Sequence, residues 1–195
     1  PFLMQTKVLL DELNQFKKLC NKKASNRWNK NLAGHFEDEF AIDKDKYHKL
    51  LIPYLHIYAE GYKNFYGKEL KNKIVTSKAW VNYMKAGDFN PLHIHDAQLS
   101  GVFFLKIPSG YEEEYRREDH YPSVGCLEFL GSVANTFAKH SWLVKPQIGD
   151  LYLFPSWLTH QVYPFRSEGE RRSMSFNIHL RSKVPGTDVG KGIDK

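Results

Sequence analysis

The sequence has few cysteines and no long apolar run. Only Cys20 and Cys126 occur among 195 residues, too few for a disulfide framework or a cysteine zinc site. No stretch of 18 apolar residues occurs, so we expect neither a membrane-spanning helix nor a membrane partner. The first residues also lack the basic and apolar regions of a secretory signal. We therefore expect two free thiols in a reducing cytoplasm.

Positive charge is scarce in the middle of the chain. The net charge is +6, but residues 1–30 contribute +5 and residues 181–195 contribute +2, so the 150 residues between them sum to −1. A nucleic-acid-binding domain usually carries a basic stripe across its central fold, so we expect no nucleic-acid partner. Aromatic residues make up 14% of the chain, which favours a folded protein with a large core over a disordered one.

Hydrophobic spacing predicts a helical first third and a strand-rich remainder. Apolar residues recur at helical spacing over about residues 6–23 and 43–66, where Pro53 could kink the second helix and Gly67 ends it. The period then changes to two, and turn residues separate the predicted strands, at about residues 73–84, 99–107, 124–131, 141–145, 149–154, 160–164 and 172–181. This order predicts a mainly β (α+β) protein, a sandwich or barrel buttressed by N-terminal helices.

The length of the chain suits one domain. We expect a single domain over residues 1–182, with a mostly helical part at 1–70 and a β core at 71–182. The remaining residues, 183–195, are rich in glycine and are expected to form a flexible tail.

The last predicted strand has two faces of opposite character. Alternate side chains are polar from Arg171 through Ser173, Ser175 and Asn177 to His179, while the side chains between them become apolar after Arg172. The apolar face should pack against the helices. The polar face could be exposed to solvent or could line a wet cavity inside a barrel, and alternation alone leaves both interpretations open.

Three of the nine histidines have spacing that suits a metal site. On an extended strand, His93 and His95 project from the same face, so both imidazoles can reach one ion. His160 follows an apolar strand and a Pro-Ser turn, and Arg171 comes eleven residues later. An arginine inside a barrel requires an anion, and its guanidinium suits a carboxylate, with the Ser173 hydroxyl nearby on the same face. Five other histidines have no partner at ligand spacing and are expected to be structural or exposed: His35, His48, His56, His120 and His140.

Four motifs in the same order connect these residues to a known family. They are His93-Ile94-His95, the segment 100–104, the segment 149–160 and the segment 171–177. Their order and spacing over about residues 75–180 resemble the 2-oxoglutarate- and iron(II)-dependent oxygenases, and in particular a branch found in phages and bacteria. The resemblance implies a double-stranded β-helix core, which is a cupin-like jelly roll. For a phage-like protein, it also implies a location in the host cytoplasm.

The resemblance also implies roles for individual residues. His93 and His160 would be iron ligands, while Arg171 and Ser173 would hold the distal carboxylate of 2-oxoglutarate. Asn177, at the end of the Arg-x-Ser motif, is expected to belong to the cofactor-binding set. Tyr83 lies ten residues before His93, where related prolyl hydroxylases place a tyrosine that reaches the same carboxylate. An ordinary core aromatic is the alternative for Tyr83.

The second metal ligand departs from the wider family, because His95 stands where a carboxylate is usual. We favour a site of His93, His95 and His160. The alternative is a site of His93, His160 and either Asp96 or water, in which His95 contacts a ligand and not the metal itself. Asp96 would point to the opposite face of the strand unless the strand bulges.

The activity implied by the resemblance is that of a dioxygenase, a hydroxylase that uses Fe(II), 2-oxoglutarate and O2, with ascorbate as an optional reductant, and that releases succinate and CO2. The first expectation for the prime substrate is a protein side chain such as prolyl, while a small molecule or nucleobase stays open. The charged loop 108–123 could be a substrate lid or a solvated connector. Two further interpretations stay open: a cupin-like metal enzyme that does not use 2-oxoglutarate and would not need Arg171, and a jelly-roll binding module without metal.

Overall fold

Thirteen helices and strands make up the described part of the chain. The computed structural model describes residues 2–21, 34–35, 38–70, 72–118, 123–131 and 140–182. Along the chain the elements are β1 (Met4–Lys7), α1 (Leu10–Leu19), β2 (Asp38–Ile42), α2 (Lys44–Tyr66), β3 (Asn72–Met84), β4 (Asn90–His93), β5 (Leu99–Lys106), α3 (Tyr111–Tyr115), β6 (Leu127–Leu130), β7 (Ser141–Val144), β8 (Asp150–Pro155), β9 (Thr159–Val162) and β10 (Arg171–Ser182). The predicted tail at 183–195 and His120 lie outside the described residues.

The second predicted helix and all seven predicted strands are confirmed. The α2 helix begins after Asp43, whose side chain accepts a hydrogen bond from the backbone N–H of Asp45 at 3.3 Å. It ends at Gly67, which adopts a left-handed conformation with φ of 65° that only glycine takes readily. Pro53 lies within the helix.

The first predicted helix is too long at its start. A helix from residue 6 is wrong, because residues 4–7 form β1 and α1 begins only at Leu10. The strand is held by β8, its antiparallel partner, and by Asp150, which accepts hydrogen bonds from Lys7 Nζ at 2.7 Å and Gln5 Nε2 at 3.1 Å. These contacts are distant in sequence, so local spacing could not indicate them. The short elements β2, β4 and α3 were likewise not predicted.

The strands form two antiparallel sheets. The large sheet has the order β1-β8-β5-β10-β3-β2, and the small sheet has the order β4-β9-β6-β7. A cluster of apolar side chains joins Val102 and Phe104 of β5 and Phe154 of β8 to Leu127 and Phe129 of β6. Because these residues come from both sheets, the two sheets pack face to face as a β-sandwich core.

The helices cover the other face of the large sheet. The main core cluster brings Phe16 of α1 and Tyr47 and Leu51 of α2 against Met174 and Phe176 of β10. The predicted helical buttress and the direction of the apolar face of β10 are therefore confirmed. In the described part of the chain, no helix is both long and apolar enough to span a membrane.

Candidate active site

Three histidines meet at the edge of the small sheet. His93 ends β4 and pairs directly with His160 of β9, while His95 follows two residues later and donates its backbone N–H to Ser156 O at 3.0 Å. One ring nitrogen from each histidine lies within 4.8 Å of one ring nitrogen from each of the others. The structure therefore brings together the three side chains that the sequence had singled out.

Backbone carbonyls orient two of the three rings. His93 Nδ1 lies 2.7 Å from Pro91 O, and His160 Nδ1 lies 2.8 Å from Leu158 O. Because a carbonyl oxygen only accepts, each Nδ1 must carry the proton. The Nε2 lone pair of both rings is then free to bind a metal ion.

Burial keeps the cluster uncharged. Burial, together with the smaller effect of the neighbouring His93, lowers the pKa of His160 to about 3. Burial likewise lowers the pKa of His95 to about 4 and the pKa of His93 below its usual value. Neutral imidazole is the form that binds metal, so the three rings need not lose a proton at neutral pH.

Arg171 is completely buried in the same pocket. Its Nη1 donates to Met84 Sδ at 3.2 Å and to Ser173 Oγ at 3.4 Å, and the guanidinium lies 5.1 Å from the centre of the Phe104 ring. Burial lowers its pKa to about 10, so the side chain stays charged at neutral pH. A buried cation without an anion is costly, and the fork of a guanidinium matches two carboxylate oxygens.

Unpaired polar atoms collect in this pocket. The histidines, Arg171, Ser173, Asn82 and Asn90 line it together. Arg171 Nε and Nη2, Asn82 Oδ1 and Asn90 Oδ1 are buried and have no hydrogen-bond partner, and the described chain has just one other such side-chain atom, His48 Nε2. The beginning of the polar face of β10 therefore lines an internal pocket, since Arg171 and Ser173 are almost fully buried. Missing partners of this kind are what a site built for a ligand shows.

The prediction for Tyr83 is not supported by its position. The Tyr83 hydroxyl donates to Cys20 O, and the ring packs in the core between the large sheet and the helices. Successive residues of a strand point to opposite faces, so Asn82 and Met84 face the histidines and Tyr83 faces away. Tyr83 also lines a separate cavity of about 500 Å³ with Asp38 and Lys85. The spacing of ten residues between Tyr83 and His93 does not predict which face of β3 the Tyr83 side chain occupies.

Asn177 is not among the residues that line the pocket, and its side-chain oxygen accepts a hydrogen bond from Ser100. Ser100 Oγ donates to Asn177 Oδ1 at 2.7 Å and lies 2.7 Å from Ser156 Oγ. Since Ser100 has a single proton, Ser156 must donate to Ser100. The carbonyl of Ser156 in turn holds the backbone of His95, so these three side chains tie the turn after β8 to the large sheet.

Asp96 does not join the histidine cluster. Its side chain is exposed, and the group of possible metal ligands contains His95 instead. Among the described residues, His35, His48, His56 and His140 belong to no such group. The loop 108–123 is partly packed, because the buried Tyr111 donates to Val124 O at 2.7 Å, whereas residues 119–122 lie outside the described chain.

Sequence reasoning missed two polar residues of the pocket, Asn82 and Asn90. Asn82 is a single polar residue in the apolar segment 79–84, and this was a usable signal, since a buried amide needs partners. Asn90 follows the turn at 86–87, and nothing in its local sequence distinguishes it from an ordinary turn residue.

Comparisons with known proteins agree with this geometry. A family model described as putative 2OG-Fe(II) oxygenase matches residues 78–177, just over half of the chain. No curated protein matches the chain in sequence.

Solved structures are similar over nearly the whole chain. A prolyl-4-hydroxylase from Pseudomonas putida has a TM-score of 0.59 at 17% identity, covering 92% of this chain and 93% of its own. A Trichoplax adhaerens prolyl hydroxylase, solved with a hypoxia inducible factor peptide, has a TM-score of 0.57 at 14% identity, covering 91% and 83%. The epimerase SnoN from nogalamycin biosynthesis has a TM-score of 0.58 at 14% identity, covering 98% and 87%. At these identities the likeness shows a shared fold.

The family match spans β3 to β10 and includes all three clustered histidines and Arg171. The chain therefore belongs to the 2OG-Fe(II) oxygenases and is an enzyme that depends on Fe(II), 2-oxoglutarate and O2.

Proposed function

We propose that this enzyme hydroxylates its prime substrate while 2-oxoglutarate is converted to succinate and CO2. His93, His95 and His160 hold Fe(II), and Arg171 and Ser173 bind the distal carboxylate of 2-oxoglutarate. The observation that carries the proposal is a buried guanidinium whose Nε and Nη2 have no partner among the described residues, in the same pocket as three neutral, clustered imidazoles.

The histidine cluster fits Fe(II) in ligand type and in protonation. Imidazole nitrogen suits iron, and three ligands on one side leave open positions for the keto acid and O2. Bound Fe(II), with its keto acid and O2, supplies the oxidising power for attack on a C–H bond. His93 and His160 present Nε2, because Pro91 O and Leu158 O accept the proton of Nδ1.

His95 as the second ligand has an electrostatic consequence. A carboxylate ligand would cancel one of the two positive charges of the metal, whereas three neutral histidines cancel none. The site therefore keeps more positive charge for the dianionic 2-oxoglutarate, and Arg171 adds to it. The exposed position of Asp96 argues against the alternative ligand set.

Arg171 selects a cosubstrate with a second carboxylate. Nε and Nη2 form one edge of the guanidinium and can donate to two oxygens, while the Ser173 hydroxyl lies 3.4 Å from Nη1. Phe104 and Met84 against the guanidinium exclude water from the ion pair and so strengthen it. A cupin-like enzyme that does not use 2-oxoglutarate would have no use for this buried charge.

The order of the strands supports a double-stranded β-helix. From β3 to β10 the chain alternates between the two sheets except at the neighbouring pair β6 and β7, with β3, β5, β8 and β10 in the large sheet and β4, β6, β7 and β9 in the small one. Such alternation is the wrapping expected of a jelly roll. The helices share the main core with the large sheet, which supports one domain over residues 1–182.

The prime substrate that we propose is a protein side chain, with a prolyl residue as the first candidate. Two of the similar structures are prolyl hydroxylases, and one of them holds a peptide. A small molecule is the second candidate, since SnoN is also similar in fold.

The test is an anaerobic titration of the Fe(II)-loaded protein with 2-oxoglutarate, followed by the weak visible charge-transfer band of a chelated keto acid. We expect a band in the wild type, about 100-fold weaker 2-oxoglutarate binding in Arg171→Ala and Arg171→Met, and loss of iron or of the band in His95→Ala. Arg172→Ala is the matched control, because the neighbouring Arg172 contacts Glu170 and the Tyr83 ring on the other face.

Two outcomes would contradict the proposal. Stoichiometric iron without a band would indicate a metal enzyme that does not use 2-oxoglutarate. Unchanged 2-oxoglutarate affinity in Arg171→Met would remove the role assigned to the guanidinium.

A further inference from the structure

A buried carboxyl group lies beside the pocket, and the proposed reaction does not use it. Glu39 of β2 pairs with Asn82 of β3, which in turn pairs with Ser173 of β10. The next residue, Phe40, packs its ring against Tyr83 on the helix side, with ring centres 5.6 Å apart. Glu39 must therefore point to the face of Asn82, so that Ser173, Asn82 and Glu39 form one row across the pocket face.

Among the residues that the structure describes, Glu39 has no partner for its charge. Its residue is 6% exposed, and in the described part of the chain no hydrogen bond or ion pair involves its carboxyl group. Burial raises the pKa of Glu39 to about 8. The side chains beside it on the same face are Ala41, Trp80 and Asn82, none of which carries a charge. A carboxyl group in this setting weakens the folded protein unless a ligand uses it.

The two asparagines of the pocket present the same kind of atom. Asn82 donates Nδ2 to Ser175 Oγ at 2.9 Å, which leaves its buried Oδ1 unpaired, and Asn90 Oδ1 is also unpaired. These oxygens and the carboxyl group of Glu39 are hydrogen-bond acceptors, whereas the free atoms of Arg171 are donors. Acceptors therefore predominate at Asn82 and Asn90 in the pocket and at Glu39 beside it, whereas the donors that suit a carboxylate lie at Arg171.

We propose that Glu39, Asn82 and Asn90 recognise a cationic group of the prime substrate, an ammonium or guanidinium, so that this enzyme acts on a basic side chain or amine. The inference rests on the proposed function and specifies its substrate class. The three N–H donors of an ammonium match the three acceptor groups in number, and a guanidinium, with five donors, can also satisfy all three. A cation would also restore the charge of Glu39, which a neutral group would not. A prolyl residue within a peptide has no N–H donor, so it would need a basic neighbour.

Calorimetry on the protein loaded with Mn(II), a redox-quiet probe ion, and 2-oxoglutarate tests the proposal. The probes are N-acetyl-lysinamide and N-acetyl-argininamide, with N-acetyl-norleucinamide and N-acetyl-prolinamide as neutral comparisons. We expect a basic probe to bind at least tenfold more tightly than both neutral ones in the wild type. The preference should be lost in Glu39→Gln and kept in Glu60→Gln, a matched change on the exposed side of α2.

The same titrations give a second readout. At pH 7, a bound cation should convert Glu39 from the carboxylic acid to the carboxylate, so the wild type should release about one proton per basic probe, measured in buffers of different ionisation enthalpy. Glu39→Gln should release none. Equal binding of basic and neutral probes, no binding of the basic probes, or a preference that survives in Glu39→Gln would overturn the proposal.

Failure of this proposal can be told apart from failure of the proposed function. The charge-transfer band of the Fe(II)-loaded protein with 2-oxoglutarate should be present in both the wild type and Glu39→Gln. A band without cation selectivity would reject the substrate class alone, whereas absence of the band in the wild type would reject the use of 2-oxoglutarate.

Discussion

At the scale of single residues, alternation along β3 separates the pocket from the core. Asn82 and Tyr83 are neighbours in sequence and both are buried, yet Asn82 lines the histidine pocket and Tyr83 packs under the helices. The difference lies in the direction of the side chain alone. It decides which residue can touch a ligand in the pocket and which contributes to the core.

Replacement of Tyr83 by Phe should therefore lower stability and leave cosubstrate binding unchanged. The lost hydrogen bond to Cys20 O should cost about 1 kcal/mol of unfolding free energy, measured by urea unfolding. The affinity for 2-oxoglutarate, measured by the charge-transfer titration, should stay at the wild-type value, while Ser173→Ala should weaken it. Weaker 2-oxoglutarate binding in Tyr83→Phe would contradict this and would indicate that Tyr83 contacts the cosubstrate.

Glu39 should make the free protein less stable as the pH rises. Burial raises its folded-state pKa to about 8, above the ordinary value of the unfolded chain, so its contribution to stability is complete below about pH 4.5 and is lost as the pH rises through 8. When the pH rises from 5 to 8, the wild type should lose about 3 kcal/mol of unfolding free energy that Glu39→Gln keeps. Urea unfolding at both pH values checks this, and a constant difference between the two proteins would contradict it.

At the scale of elements, one carboxylate links three strands of the small sheet. Glu128 of β6 accepts hydrogen bonds from Ser141 of β7, from Gln161 of β9 and from Tyr163 just beyond β9. Although burial raises its pKa, these hydrogen bonds lower the pKa more, so the net shift is downward. Because β9 also carries His160, this network helps to hold the strand of a proposed metal ligand.

Glu128→Gln should destabilise the small sheet at neutral pH. Loss of the charge-assisted bonds should cost about 2 kcal/mol of unfolding free energy. A carboxyl group with a lowered folded-state pKa stabilises above its unfolded pKa and loses this effect as the pH falls, so the gap to the wild type should shrink below about pH 4. Melting temperatures at pH 7 and pH 3.5 test this, with Glu113→Gln on the exposed side of α3 as control. An equal gap at both pH values would contradict it.

At the scale of the whole molecule, the large sheet connects the site to the helices. Met174 and Phe176 of β10 pack against α1 and α2, while Arg171 and Ser173 of the same strand line the pocket. One strand thus contributes to the main core with one face and to the site with the other. Residues of β1, near the start of the described chain, pair with β8 in the same sheet.

This shared sheet predicts that the protein unfolds in a single cooperative transition. Calorimetry should give a van't Hoff enthalpy equal to the calorimetric enthalpy, because the helices cannot separate without exposing the core of the sheet. Addition of Mn(II) and 2-oxoglutarate should raise the melting temperature of the whole transition. Two separate transitions would show that the helical part and the β core are independent units.

The sequence by itself determined the long elements and the three histidines. Apolar spacing located α2 and seven strands, because each element buries one face and the period of burial is a local property. The His-x-His spacing and the distant His160 predicted a metal site, since ligand chemistry restricts residue type, and the three histidines do cluster. Short elements such as β1 and β2 escaped, because contacts distant in sequence stabilise them.

Only the tertiary structure decided which buried residues face the pocket. In the structure Tyr83 lies in the core and Asp96 is exposed to solvent. Asn82 and Asn90 line the pocket, and Glu39 lies on the same face of the sheet as Asn82. The physical reason is that the register between strands sets the direction of each side chain, and a shift of one residue reverses it. The type of ligand atom can be inferred from single residues. Whether a buried polar group has a hydrogen-bond partner is decided only when the strands of both sheets have paired.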